Sequence, residues 1–380
     1  MDCIKKNQVA VIKCTSYDKT QVFQAICKAI DLLGGIETVI QGYKEVCIKP
    51  NLCLPEKPEK AITTHPEIVD AIVKVCKVKT NNIVIGDSPV GKANSNRCKQ
   101  LWNITGMYDV AQNNGCKIDY MNGSNVFKEF LYDSTSIKYL INNVVDKPVC
   151  LINVPKFKTH GLMLLTGAVK NLYGLIPDST KKWLHRQFPN RKDFAMLLID
   201  IYEKVMPALN IVDAVVSLEG EGPGAKGKPK DIGLILASRS GIAIDFLLAD
   251  LMGIDPLMVP TNKAWIEKNG EKPSIEILGD DIEPYIRKDY ILPQMKRYDN
   301  LAVVKKIFAL KYSKPRIVYE KCISCGLCMD NCSVGAIFCK DNHPTICADK
   351  CIECLICHEI CPKGAVEISN NRFYDQLSKM

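Results

Sequence analysis

Eight cysteines near the C-terminus repeat one spacing twice. Cys322, Cys325, Cys328 and Cys332 are followed 29 residues on by Cys351, Cys354, Cys357 and Cys361. Each set reads C-x2-C-x2-C-x3-C, and the second runs into Pro362. Thiolates that hold iron must reach the corners of a compact cluster, and two intervening residues set a loop that lets neighbours do so. The fourth cysteine of each run lies too far round the loop to close its own cluster, so it ligates the other one. The spacing therefore predicts one 4Fe-4S cluster on Cys322, Cys325, Cys328 and Cys361. It predicts a second on Cys351, Cys354, Cys357 and Cys332. Zinc would take four ligands in a tetrahedron, usually with wider separation between ligand pairs. Disulfides would need an oxidising compartment, and nothing in the chain suggests export.

The register extends past the ligands, since Gly335-Ala336-Ile337 matches Gly364-Ala365-Val366. Residues 316–370 resemble a bacterial two-cluster ferredoxin domain of small α+β type. Ser333 stands where that pattern carries proline in the first run. Proline there stiffens the turn without ligating, so the expected ligand set is unchanged.

A second group of chemically capable residues lies in the first 280 positions, at the ends of apolar runs. They are Lys49-Pro50-Asn51-Leu52-Cys53, Gly86-Asp87-Ser88-Pro89, the segment Asn153 to His160, and Thr166 to Asn171. Lys156, Lys158 and His160 alternate along an extended segment and so face one side. If Thr166 to Asn171 enters a helix, its first N–H groups face the same place, which makes an anion site for phosphate or carboxylate. The candidate catalytic groups are Lys156, Lys158 and His160, with His160 able to supply protons near neutral pH. Lys49, Asn51, Asp87, Lys170 and Asn171 are candidates for holding a substrate or cofactor. The competing reading is of solvated lysines and a merely hydrogen-bonded histidine. His185 and Arg186, near Trp183 and Phe188, read either as part of a lid or as a surface helix with an aromatic anchor. Gly220, Gly222 and Gly224 lack dinucleotide-fingerprint spacing and are flanked by glutamates, so a flexible loop over the pocket is expected. Asp245 and Asp250, five apart on one helix, face different sides and read as surface or capping groups rather than a metal pair.

These clusters need a scaffold, and the sequence predicts one. Glu45 to Lys49, Asn82 to Gly86, Val149 to Asn153, Asn210 to Ala214 and Asp231 to Ala237 are short apolar runs suited to strands buried on both faces. Helical patterns lie between them: Gln21 to Leu33, ended by Gly34-Gly35, then a helix capped by Thr64 with Glu67 completing a capping box, Asn94 to Asn113, and Ile242 to Met252. Strands alternating with helices of this length give a mostly parallel, doubly wound α/β sheet. In such sheets ligands bind beyond the carboxyl ends of the strands, where the polar clusters fall. The expected division is an α/β domain at 1–283, a basic linker at 284–315 and the two-cluster domain at 316–370.

Length and composition set outer bounds. The chain has 380 residues, 47% hydrophobic and 24% charged, values of an ordinary globular protein large enough for two or three domains. A net charge of +8 suits an anionic ligand or an acidic redox partner without implying nucleic acid. No apolar stretch has the length of a membrane span and the first 13 residues lack a signal-peptide pattern, so a cytoplasmic protein is expected. The eleven cysteines outside the runs show no paired spacing and read as reduced thiols, with Cys53 set apart by its polar loop.

The combination of Lys49-Pro50-Asn51, Gly86-Asp87-Ser88-Pro89, Pro155 to His160, Thr166 to Asn171 and Glu219 to Pro223 resembles a catalogued domain of unknown function, family 362. That resemblance implies an α/β domain of anaerobic metabolism, often fused to a two-cluster ferredoxin tail, with no generally assigned reaction. The leading expectation is an iron–sulfur oxidoreductase. Its tail would take electrons from an external low-potential carrier of ferredoxin or flavodoxin type and pass them to an anionic small molecule or an organic cofactor. No motif identifies such a cofactor. The alternatives are an electron carrier with a non-catalytic docking domain, and a non-redox enzyme with structural or sensing clusters.

Overall fold

Runs that are apolar on both faces end up between two layers of helix. In the computed structural model β2 (Glu45–Pro50), β3 (Ile83–Gly86) and β7 (Val149–Val154) are almost wholly buried. Alternate residues of β2 go to opposite layers. Val46 and Ile48 pack with the helices α1 (Lys19–Leu32) and α3 (Pro66–Cys76), while Cys47 faces α8 (Arg191–Val205). Each fully buried Ile or Leu in these layers contributes roughly 1.5–3 kcal/mol. The structure describes residues 7–88, 96–121, 125–132, 135–188, 190–293, 315–330, 332, 335–351, 357 and 361–368.

The remaining strands of the core are β1 (Gln8–Lys13), β4 (Lys117–Asp119), β8 (Lys156–His160), β9 (Leu164–Thr166), β10 (Leu209–Glu221), β11 (Lys226–Ser238) and β12 (Glu276–Gly279), and β5 (Asn125–Tyr132) and β6 (Thr135–Asn142) form a separate hairpin. One sheet runs β12-β1-β11-β10-β7-β2-β3-β4, with β8 and β9 branching from β10. From β10 through β7, β2 and β3 to β4 every pairing is parallel. Only β1–β11, β10–β11 and β8–β9 are antiparallel within it. The architecture is the mostly parallel α/β sheet that the alternation predicts.

Several expectations shift. The helix expected from Thr64 starts at Pro66, and its cap is His65, whose Nδ1 accepts the Glu67 N–H at 3.2 Å. The Thr64 hydroxyl instead accepts from Asn51 N–H at 2.8 Å and donates to the Val154 carbonyl at 2.7 Å. The stretch expected as one helix from Asn94 to Asn113 divides into α4 (Asn96–Ile104) and α5 (Met107–Asn114), with Asn94 and Ser95 outside the described residues. Gly106 breaks it at φ 75°, a conformation that costs glycine nothing. Strand β10 runs seven residues beyond the expected end at Ala214, because Leu218 is buried and pairs across to β8. The body also continues past residue 283: Tyr290 is buried, stacks on Phe157 at 5.7 Å and donates to Ser217 Oγ at 3.1 Å. Residues 294–314, most of the expected basic linker, lie outside the described residues.

In the tail, β13 (Pro315–Ile317) pairs antiparallel with β16 (Val366–Ile368), and β14 (Ile337–Lys340) with β15 (His343–Ile346). Buried Ile317, Ile337 and Val366 pack against Cys328 and Cys357.

Candidate functional site

Just after the last cysteine of each run the described residues turn in the same way. Gly335 and Gly364 both take left-handed backbone, at φ 60° and 59°. Each lets the next residue turn its N–H onto the fourth thiol of its run. Ala336 N–H donates to Cys332 Sγ at 3.1 Å, and Ala365 N–H to Cys361 Sγ at 3.1 Å. Ser324 N–H lies 3.4 Å from Cys322 Sγ. Hydrogen bonds of this kind to cluster sulfurs raise the reduction potential, because they stabilise the extra negative charge of the reduced state.

Cys322, Cys325 and Cys328 line one cavity together with Cys361 from the other run, beside Ile317, Leu327 and Val366. Among the described residues no three His, Cys, Asp or Glu side chains are grouped to hold a single metal ion. Four cysteines round an apolar cavity suit a multi-iron cluster, whose corners hold thiolates further apart than one zinc does. Of the ligands expected for the second cluster, Cys332, Cys351 and Cys357 are described, and Cys354 lies outside the described residues.

In the α/β domain the polar clusters converge at the carboxyl ends of β2, β3, β7 and β8. Pro155 does not end the extended chain there. Lys156 to His160 continues as β8, parallel to β10, and all five residues are buried. Lys156 and Lys158 share a face but have different partners. Lys156 Nζ donates to Asp213 Oδ2 at 2.8 Å and to Tyr17 Oη at 2.8 Å. Asp213 accepts further bonds from Tyr17 Oη at 2.8 Å and from the His65 backbone N–H at 2.9 Å, and the Tyr17 and His65 rings stack at 3.6 Å. This Lys156–Asp213 pair is a closed, buried unit that ties Lys156 to the scaffold. Lys49 is likewise paired, its Nζ 2.7 Å from Asp87 Oδ1, and Asp87 Oδ2 accepts the Leu52 N–H.

Lys158 has neutral acceptors instead. Its Nζ donates to Asn51 Oδ1 at 2.7 Å and to the Ile62 carbonyl at 2.6 Å. Burial pushes its pKa down. Asn51 begins a chain of amides that all donate in one direction. Asn51 Nδ2 donates to Asn171 Oδ1, Asn171 Nδ2 to Asn153 Oδ1, and Asn153 Nδ2 to Asn210 Oδ1, each at 2.8 Å. Asn51 and Asn171, candidates for holding a substrate or cofactor, are joined side chain to side chain in this chain.

His160 departs most from its expected role. Its Nδ1 accepts the backbone N–H groups of Leu162 at 3.1 Å and Met163 at 3.2 Å. Those bonds assign the ring proton to Nε2, and forming imidazolium would break both. Burial first, and then the nearby charge of Lys170, hold its pKa well below the usual histidine range. His160 is therefore a neutral ring with one N–H to offer, not a proton source at neutral pH. His185 is also held neutral, its pKa lowered to about 3 by burial and by Lys170 and Lys181. It stacks on Phe194 at 4.3 Å, which favours the anchored-helix reading over a lid. Lys170 lies over the Tyr173 ring at 5.8 Å, and Lys181 Nζ donates to the Ser88 carbonyl.

Two further expectations are corrected. The helix N-terminus at α6 (Ala168–Asn171) does not open onto a ligand. Its first N–H groups, from Ala168 and Val169, donate to the carboxylate of buried Asp245 at 2.6 and 3.1 Å. Asp245 is thus a cap, as one expected reading held, but an internal one. The glycines at 220–224 do not form a loose flap either. Gly220 N–H donates to the Ile291 carbonyl, and the Gly222 carbonyl accepts the Gly161 N–H at 3.2 Å. Sequence reasoning missed Asp213, Tyr17 and His65, because Asp213 and Tyr17 meet Lys156, and His65 meets both of them, only through the fold. A buried lysine at a strand end requires a counter-charge, and that was the available signal.

A family model described as a domain of unknown function, DUF362, matches residues 46–250, and models of 4Fe-4S binding domains match 315–338 and 348–364. A thylakoid-associated protein of Synechocystis is 28% identical over 270 residues, covering 67% of this chain and 78% of that protein. The lactate racemase apoprotein of Thermoanaerobacterium thermosaccharolyticum superposes with a TM-score of 0.42 at 15% identity, covering 63% of this chain and 55% of that one. Among the described residues no helix is long and apolar enough to cross a membrane. The tail carries two ferredoxin-type motifs, which indicate 4Fe-4S clusters and electron transfer.

Proposed function

The chain belongs to the DUF362 family, and from that premise we propose that it is an iron–sulfur oxidoreductase. A low-potential carrier of ferredoxin or flavodoxin type loads its two clusters. The electrons pass to an anionic substrate, or to an organic cofactor, at the carboxyl end of the α/β sheet. The observation that carries this reading is the cavity shared by Cys322, Cys325, Cys328 and Cys361, which joins the two cysteine runs. Cluster domains of this type work near about −400 mV, low enough for difficult reductions.

The anionic character of the ligand is supported by the charges round His160. The groups that act on it are Lys170, His185 and Lys158, none of them a carboxylate. A negative group placed there gains from Lys158 and Lys170, and the neutral His160 ring offers it a fixed Nε2–H. The roles that fit are therefore binding and orientation by Lys158, Lys170 and His160, with Lys156 and Lys49 holding the scaffold.

The amide chain from Asn51 to Asn210 favours a second reading, a plain electron carrier, because it leaves those side chains engaged with one another. One preparation separates the two. Protein purified without oxygen is assayed for iron, visible absorption and retained small molecules by mass spectrometry. About eight iron atoms per chain with a bound organic anion, lost in His160→Ala while the cluster absorbance stays, supports the oxidoreductase. Full iron with nothing retained, and rapid oxidation by a partner protein, supports the carrier. Far less iron and no broad absorption defeats both.

A further inference from the structure

Lys158 and Thr166 stand opposite each other across β8 and β9, and both are buried. We propose that this pair holds the carboxylate of a substrate with a single negative charge, a monocarboxylate rather than a phosphate ester or a dicarboxylate. The inference deepens the anion site of the oxidoreductase and rests on that reading.

Charge selects the class. Three buried lysines lie on β2 and β8, and two of them are neutralised. Lys49 has Asp87 at 2.7 Å, and a Cβ on Gly174 would stand 2.3 Å from its Nζ, so backbone closes over that pair. Lys156 has Asp213 at 2.8 Å. Lys158, 1% exposed, places its bonds on the Asn51 side-chain oxygen and the Ile62 carbonyl, both uncharged. The other buried carboxylates among the described residues are engaged elsewhere. Glu219 Oε2 accepts the Ile291 N–H at 2.9 Å, and Asp245 accepts the N–H groups of Ala168 and Val169. A buried ammonium is either paired or driven towards its neutral form, and burial draws the Lys158 pKa down. An anion within reach supplies the counter-charge, and one cation calls for one negative charge. A phosphate ester brings about −1.5 to −2 at pH 7, more than this site can match. Lys170 is half-buried over the Tyr173 ring, where water screens it, so it does not call for a second buried charge.

An independent feature marks the same place. Thr166 and Thr63 are 3% and 1% exposed, and among the described residues neither hydroxyl has a hydrogen-bond partner. Residues directly opposite in an antiparallel pair share a face, so the Thr166 side chain lies beside that of Lys158. Thr63 follows Ile62, whose carbonyl holds Lys158. An unpaired hydroxyl in the interior is costly, and a ligand oxygen removes that cost. A carboxylate has the two oxygens needed to accept from the Lys158 ammonium and the Thr166 hydroxyl together. His160 is on the same face about 6.6 Å further along the strand, which leaves its Nε2–H for the remainder of the substrate.

The probes are acetate and propionate, with inorganic phosphate and succinate as the more highly charged controls. Full-length protein, purified without oxygen, is titrated with each by isothermal calorimetry in a buffer free of both anion types. The expected result is one site per chain for the monocarboxylates, at least about tenfold tighter than for either control. Thr166→Val removes a hydroxyl that no other side chain uses. That variant should keep or raise its melting temperature while its monocarboxylate affinity falls at least about tenfold. A purely structural threonine would show the reverse, a lower melting temperature with affinity kept.

A control that binds as tightly as acetate and propionate overturns the proposal. So does the absence of binding by every probe, which would mean that water alone meets the two hydroxyls. A Thr166→Val protein that folds and keeps full affinity overturns it as well, and if that variant does not fold the comparison of probes on the unaltered protein decides. Iron content and cluster oxidation in the same preparation report on the redox reading. Tight phosphate binding with about eight iron atoms per chain removes this inference and leaves that reading standing, and monocarboxylate binding without iron does the opposite.

Discussion

Asp245 lies directly beneath Gly167. Its two carboxylate oxygens accept the N–H groups of Ala168 and Val169, and a Cβ built on Gly167 would stand 2.1 Å from Asp245 Oδ1. Gly167 is extended at φ −124°, so space rather than backbone conformation demands glycine. The pair ties α9 (Gly241–Leu251), which carries Asp245, to the short helix that carries Lys170 and Asn171.

Gly167→Ala must push that carboxylate off its two donors. Overpacking costs about 1–3 kcal/mol, and losing the cap adds about 1 kcal/mol. The expected outcome is a clear fall in the urea midpoint of the α/β domain with an unchanged slope. An unaltered midpoint would show that the close approach does not exist in solution.

The same carboxylate gives a pH dependence. Burial raises the Asp245 pKa to about 7 against the lowering effect of its two N–H bonds. The folded protein thus holds this proton at pH values where the unfolded chain has released it. The resulting stabilisation is complete below about pH 4, and it is lost as pH rises through about 7. Between those limits Asp245 lowers stability by up to about 1.4 kcal/mol per pH unit. Asp245→Asn should flatten this part of the curve, compared as melting temperature from pH 5 to 8.

How far the sequence carries depends on whether a partner is near in the chain. Strands β2, β3 and β7 were legible to within a residue, because an apolar run buried on both faces is a local pattern. The paired cysteine runs were legible for the same reason. The break at Gly106 had its signal too, a Thr-Gly step inside the expected helix. Partners set by the fold were not readable. Lys156 meets Asp213 57 residues on and Tyr17 139 residues back. The N-terminus of α6 is filled by an aspartate 77 residues later. An extended Lys-x-Lys-x-His segment looks like an open anion site until those distant groups are placed, and then only part of it remains available.

Lys156 and Lys158, equal in the sequence pattern, should therefore behave differently. Lys156→Met strands a buried carboxylate, and breaking such a pair costs about 3–5 kcal/mol. Lys158→Met leaves only the Asn51 oxygen and the Ile62 carbonyl without their donor, a cost of about 1–3 kcal/mol. Thermal unfolding of the two variants measured side by side decides. A Lys158 variant as damaged as the Lys156 variant would mean that both lysines are chiefly structural.

The assignment of Cys361 to the cluster of the opposite run can be tested by counting iron in paired variants. The cavity places it with Cys322, Cys325 and Cys328. If all four hold one cluster, Cys322→Ala and Cys361→Ala each remove that cluster and leave about four iron atoms. Combining them adds nothing, because the second change strikes a cluster already lost. Cys361→Ala with Cys351→Ala should behave oppositely, since each change destroys a different cluster and iron falls towards zero. Were Cys361 to serve its own run instead, the two double variants would exchange results. The outcome depends on which pair is additive, so partial retention of a three-iron remnant in any single variant does not obscure it. Iron analysis and low-temperature electron paramagnetic resonance of the dithionite-reduced proteins supply the measurement.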